Sequence, residues 1–149
     1  MRFMMKNNSA LFFTCSLIEY IGRIRKLRRD EVVDYMGKDV IERIYRYADV
    51  LHCEPIEKTA DEYINMNSIP EGDYDNVGEC KYEVPDYWTI GEVYERLIED
   101  IPGNNNEIVE KLIRVYKSWL NQHLSNYNSD LYYQSREYIA ECYKSNQIL

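Results

Sequence analysis

The sequence predicts an all-α fold, a compact helical bundle of six to seven helices in two lobes joined by an acidic loop. Three observations predict it. Apolar residues recur at helical spacing in several segments. Most of these segments open on residues that cap helices, and a Pro- and Gly-bearing acidic stretch separates an earlier group from a later one. The 149 residues fit a single domain, with lobes at about 9–66 and 88–145 and a linker loop at 67–87. A chain of this length buries enough surface to fold without a disulfide or a metal.

The first helix is expected from Ser9, a good N-cap, to about Leu27. Leu11, Cys15, Ile18, Ile21 and Leu27 form its apolar stripe, widened by Phe12, Leu17 and Ile24. Arg2 and Lys6 ahead of the run Ala10–Ile18 imitate a signal peptide, but Glu19, Tyr20 and Ile21 follow instead of a small-residue cleavage site. The run therefore reads as a core helix, and no stretch is long enough to span a membrane. Asp30 is expected to cap a short helix, Glu31 to Met36, ended by Gly37. A third helix follows from Asp39 to His52, with Val40, Ile44, Tyr47 and Leu51 on one face.

Pro55 interrupts the period, and Thr59 with Glu62 reads as a capping box opening a helix to Met66. Residues 67–87 contain Pro70, Gly72, Gly78 and Pro85, and carry six acids against one Lys. That composition gives a long loop, with Lys81 to Val84 as its extended piece. Thr89 and Glu92 form a second capping box for a helix that stops at Pro102-Gly103. Asn106 caps a helix from Glu107 to Leu124, on which Ile108, Leu112, Val115, Trp119 and His123 share a face that should bury Trp119. A turn at Asn126–Asp130 leads to a last helix capped by Ser135.

Composition narrows the function. The net charge of −8 argues against a nucleic-acid partner, because phosphate contacts need clustered cations. The charge is polar along the chain: residues 1–50 carry +3 and residues 51–149 carry −11. Such polarity favours an oriented encounter with a partner. Fifteen tyrosines against three Phe and two Trp suit half-buried seams or an interface, since the ring can be buried while the hydroxyl stays wet. Cys15, Cys53, Cys80 and Cys142 have no short spacing, so neither a zinc motif nor a redox pair is expected. Reduced thiols imply a cytoplasmic setting.

The chain has no Gly-rich phosphate loop, no G-x-S-x-G and no H-E-x-x-H, and only two histidines. No metal or cofactor is expected. Glu71, Asp73 and Asp75 miss the EF-hand register at one end of the loop or the other. The sharpest surface feature is Arg23, Arg25, Lys26, Arg28 and Arg29, five cations in seven residues. They are the expected partner-binding residues, a dock for an acidic partner or a nucleic-acid backbone; the alternative is a solvated helix end, where cations complement the dipole. A DNA-binding role for residues 23–29 with the following helical pair ranks lower because of the net charge.

Arg46-Tyr47-Ala48-Asp49-Val50-Leu51-His52 resembles the Arg-and-His element of the helical nuclease superfamily called HEPN. There the Arg steadies phosphate charge and the His moves a proton, which would make this chain a ribonuclease using Arg46 and His52. A second resemblance covers about Leu11 to Ile64. It is carried by the apolar helix Phe12–Ile24, the short Asp30–Met36 helix, the run Tyr47–His52 and Asp61-Glu62-Tyr63-Ile64. These resemble small bacterial helical proteins, often encoded beside ADP-ribosyltransferase-like toxins and regarded as their antitoxins. That resemblance implies a binding role, a toxin-like enzyme as partner, and no catalytic residue. The leading expectation is thus a non-enzymatic protein-interaction or regulatory protein, antitoxin-like; the alternative is the ribonuclease.

Overall fold

A computed structural model describes residues 2–149, with side chains described for 9–104 and 106–149. The side chains of Arg2 and Lys6 lie outside the described residues. The described chain forms eight α-helices: α1 (Arg2–Arg25), α2 (Arg29–Arg46), α3 (Ala48–Leu51), α4 (Ile56–Met66), α5 (Tyr87–Asp100), α6 (Ile108–Tyr116), α7 (Leu120–Leu124) and α8 (Arg136–Ser145). Two 3-10 turns, Asn105–Glu107 and Leu131–Tyr133, complete it, and no strand is present among the described residues. Lys81 to Val84 is accordingly irregular. Among the described residues, no helix is long and apolar enough to cross a membrane.

α1 is the central element. It packs most extensively against α5 and next against α2, with α3 and α4 across its remaining flank. The two lobes therefore meet in one hydrophobic cluster, which runs from Leu11, Leu17, Ile18 and Ile21 through Ile41 and Ile44 to Tyr94, Leu112, Leu120 and Ile139. The α1–α5 contact is close because Gly91 presents no side chain there. A Cβ at Gly91 would lie 2.1 Å from the Ser16 Oγ and 2.9 Å from the Ser16 Cα. Tyrosine does much of the core filling. Tyr94 and Tyr116 are fully buried and stacked with ring centroids 4.2 Å apart, and the Tyr94 hydroxyl donates to the Asn121 Oδ1 at 2.7 Å.

Several helix starts differ from the sequence expectation, each for a local reason. Ser9 sits within α1, whose backbone continues to Arg2. α2 begins two residues earlier than Asp30 would place it, with Arg28 as its N-cap, because the Arg28 N–H donates to the Glu31 Oε1 at 3.0 Å. Gly37, at φ 78°, breaks the helical path where the sequence placed a helix end, and the two segments continue across it as one kinked α2. Pro55 stands at the N-cap of α4 and Thr59 is buried inside the helix, so the Thr59–Glu62 pair caps nothing. Asp86, not Thr89, caps α5, accepting from the Thr89 N–H at 2.8 Å. Ser135 does cap α8, accepting from the Tyr138 N–H.

The long helix expected from Glu107 to Leu124 is two helices, α6 and α7, separated at Lys117–Trp119. The break rotates Trp119 off the buried face. Its ring is half-buried and meets the His123 ring edge-on at 5.4 Å. The loop at 67–86 is a strap laid over the end of α1. The Gly72 N–H donates to the Arg25 carbonyl at 2.7 Å and the Tyr74 N–H to the Lys26 carbonyl at 2.9 Å. A Cβ at Gly72 would lie 2.7 Å from the Lys26 carbonyl oxygen, so only glycine lets the strap come this close.

Candidate functional site

The basic segment does not form a continuous solvent-facing patch. Arg29 is fully buried at 0% exposure, as is Glu19 on α1. The guanidinium Nε and Nη2 donate to the two Glu19 carboxylate oxygens at 2.9 and 3.0 Å, the bidentate geometry that suits Arg best. Its Nη1 donates to the Leu27 carbonyl at 2.7 Å, and Nη2 also reaches the Asn76 Oδ1 at 3.1 Å. Asn76, in the strap, donates onward to the Ser125 carbonyl at 2.9 Å. Arg23 joins the same cluster from one turn after Glu19, donating to its Oε2 at 2.8 Å and to the Pro85 carbonyl at 2.6 Å. The Tyr127 hydroxyl donates to Glu19 as well, and the Arg23 guanidinium lies over the Tyr127 ring at 5.3 Å.

This knot ties α1, α2, the strap and the segment after α7 together. Burial pushes the Glu19 carboxyl up, but the Arg29 charge and hydrogen bonds, with Arg23 and Tyr127, outweigh it and hold the group at about 2. Two of the five predicted contact residues, Arg23 and Arg29, are therefore structural. Arg25 is half-buried and donates to the Ile69 carbonyl at 3.1 Å. Arg28 is exposed and pairs with Asp30 at 3.2 Å. Lys26 is exposed at a left-handed φ of 54°. Lys26 and Arg28 are thus the two of the five left facing solvent. A signal for the knot was present in the sequence: Glu19 and Gly22 share a face of α1. A Cβ at Gly22 would lie 2.3 Å from the Arg29 Cδ, so that glycine makes room for the buried guanidinium.

Arg46 and His52, the candidate nuclease pair, open into different grooves. Arg46 lines a groove of about 290 Å³ with Glu42, Tyr45 and Asn106, and its guanidinium pairs loosely with Glu42 at 3.9 Å. His52, exposed at the end of α3, lines a groove of about 630 Å³ with Phe12, Phe13, Ala48, Asp49 and Trp88. Trp88 belongs to an aromatic row that crosses from α1 to α5. Phe12, Trp88, Tyr87 and Tyr20 follow one another with centroids 5.0 to 5.4 Å apart. Among the described residues, no group of three or more His, Cys, Asp or Glu side chains is placed to hold a metal ion.

The tyrosine-rich C-terminal surface divides sharply. Tyr127 and Tyr132 are buried, whereas Tyr133 is 79% exposed and Tyr82 in the strap is 69% exposed. Together with Asn128, Ser129 and Asp130 they line a groove of about 550 Å³. The 3-10 turn Leu131–Tyr133 makes the division, since successive residues on such a turn point in different directions: Tyr132 faces inward and Tyr133 outward. The two rings remain stacked, with centroids 4.7 Å apart. Asn128 clamps the groove's walls together. Its Oδ1 accepts from the Lys81 N–H at 2.7 Å and its Nδ2 donates to the Glu79 carbonyl at 3.1 Å. A smaller groove of about 160 Å³ adjoins on the far side of Tyr132 and Tyr133, bounded by Glu92, Arg96 and Arg136.

A carboxyl pair lies on α5. Burial pushes the Glu95 carboxyl up, and its hydrogen bond to Glu99 and the like charge there raise it further, to about 8. Arg136 holds the neighbouring Asp100 through two bonds of 2.8 Å and reaches Glu99 at 3.2 Å. The chain matches no family model, and no curated protein or solved structure is significantly similar to it.

Proposed function

We propose that this protein works by binding another protein, as a regulatory partner rather than as an enzyme, in the manner of the antitoxin of a bacterial pair. The observation that carries the reading is the exposed aromatic surface. Tyr82 and Tyr133 stand out from a rigid wall around a groove of about 550 Å³, and Trp88, 36% exposed, rims a second groove. Tyr and Trp are the residues that contribute most at protein interfaces, because they offer large area with little entropy to lose. The internal pairing of Arg23 and Arg29 with Glu19 supports seeking the contact surface on this tyrosine-bearing side rather than on the basic segment.

The toxin-like partner rests on the resemblance of residues 11–64 to small antitoxin-like proteins. The test is co-expression with the product of an adjacent toxin-like gene. Co-purification in fixed stoichiometry, with relief of the toxin's growth defect, supports the reading. The ribonuclease reading keeps one favourable feature, the exposure of His52 at the rim of an aromatic groove. Cleavage of RNA by the purified protein, lost in His52→Ala with the fold intact, would replace the binding reading by that one.

A further inference from the structure

We infer that the groove between Tyr82 and Tyr133 receives an arginine or lysine side chain from a basic segment of the partner protein; this rests on the binding reading above and names the chemistry of what is bound. Three features of the groove point to that occupant. The first is its ring surface. Tyr82 and Tyr133 are exposed on either side, and Tyr132, stacked on Tyr133, forms the floor. Tyrosine rings attract a cation over their faces, and the attraction grows as the cation loses water in a groove.

The second is charge. Asp130 lines the groove, and among the described residues no cationic side chain does. The Glu83 carboxylate is close enough to the Tyr132 phenol to act on it electrostatically. The strap that supplies one wall carries six acids and a single base, Lys81, which is flanked at two-residue spacing by Glu79 and Glu83. In the adjoining groove the cations are already paired, Arg96 with Glu92 and Arg136 with Glu99 and Asp100. The field across this surface is negative, so an anionic segment is repelled and a basic one is drawn in.

The third is rigidity. The Asn128 clamp joins the Tyr82 wall to the Tyr133 wall, and the Tyr133 N–H is fixed on the Asp130 carbonyl at 3.0 Å. A groove already held in shape loses little entropy when it is filled.

The experiment uses the full chain and two capped pentapeptides, one alternating arginine with glycine and one alternating glutamate with glycine. Binding is followed by amide chemical-shift titration at low and high salt. The arginine peptide is expected to shift the amides of Tyr82, Tyr133 and Asp130 and to bind more weakly as salt rises, while the glutamate peptide leaves them unmoved. Tyr133→Leu is expected to weaken binding about tenfold and Tyr133→Phe to leave it within about twofold, because the phenyl ring keeps the face that the cation needs. Asp130→Asn is expected to weaken it about threefold. Both positions are exposed, so the variants fold, and their amide spectra away from the groove verify it. Equal binding of the two peptides, or a Tyr133→Leu variant as good as wild type, overturns the cationic occupant. A photoreactive residue at position 82, used in the native cell, separates the two levels of the claim. Capture of a specific protein through a neutral or acidic segment overturns this inference and leaves the binding reading standing. Failure to capture any protein, at 82 and at 133 alike, overturns both.

Discussion

The buried knot around Glu19 and the open groove around Tyr133 both combine tyrosine, an acid and an asparagine, only the knot adds arginine, and they meet at Tyr127, which serves both. In the knot, two arginines, a glutamate, a tyrosine and an asparagine satisfy one another away from water. In the groove, tyrosines and an aspartate face solvent beside an asparagine whose amide is occupied by backbone. The difference is whether each polar group has a partner from this chain. A buried charge without one is very costly, so the knot is closed on itself. Ring faces and a carboxylate in water cost little to leave open, so the groove can be offered to another molecule. The knot and groove should therefore respond oppositely to mutation: the first in stability, the second in binding.

The largest expected effect falls on the knot. Glu19→Gln removes the negative charge facing Arg29 and Arg23 and should cost about 3–5 kcal/mol in a denaturant titration, since it leaves buried guanidinium charge uncompensated. Replacing Glu19 by Leu and Arg29 by Met together should cost less than the sum of the single changes, because it removes charge and counter-charge at once. A single-site loss under about 1 kcal/mol would mean that water reaches the cluster, and the contrast with the groove would fail. The Glu19 carboxyl also sets an acid limit. Its folded value of about 2 lies below the ordinary carboxylate value, so the stability it contributes is present above about pH 4.5 and is lost as pH falls toward 2.

Next is the seam that brings α1 against α5. Gly91→Ala places a Cβ against the Ser16 side chain and backbone and should cost about 1–3 kcal/mol by overpacking, read as a lowered thermal midpoint. A neutral result would show that α5 can slide, loosening the whole α1-centred core.

The carboxyl pair on α5 is intermediate in both burial and effect. The Glu95 group is raised to about 8 in the folded protein, so the folded state holds its proton more tightly than the unfolded chain does. The stability this gives is complete below about pH 4.5 and is lost as pH rises through about 8. Glu95→Gln stays neutral throughout and should gain relative to wild type across that window. The gain should be about 1 kcal/mol after allowance for solvent screening of a half-exposed group. Parallel pH–stability profiles for the two proteins would remove the pair from the account.

The smallest stability effect belongs to the groove. Tyr133→Ala and Tyr82→Ala should each change folding stability by less than about 0.5 kcal/mol, because the rings are mostly in water. A loss of 2 kcal/mol or more at either site would make these tyrosines part of the core and erase the contrast.

By itself the sequence determined the helical class and some of the helix boundaries, though not the breaks at Tyr47 and at Lys117–Trp119. The apolar stripe of α1, the Gly37 break, Pro102-Gly103 and the Ser135 cap are local, and their physics acts within a few residues. The excess of tyrosine pointed to seams or an interface, but not to the full burial of Tyr94 and Tyr116 or to the exposure of Tyr82 and Tyr133. Tertiary structure decided the rest. Capping at Arg28 and Asp86 replaced the expected Asp30 and Thr89, because the chain arriving from a preceding turn or strap fixes which backbone N–H is left open. The break at Lys117–Trp119 turned Trp119 half out of a face that is continuous on a helical wheel. Above all, the basic run at 23–29 looked like one patch because it is contiguous in sequence. Arg23 turns inward because it stands one helical turn after Glu19 on α1, and the turn between α1 and α2 brings Arg29 to the same carboxylate while Lys26 and Arg28 stay in water. Their partners, Asn76, Pro85 and Tyr127, lie 47 to 104 residues away, and pairing over that distance leaves no periodic trace in a sequence.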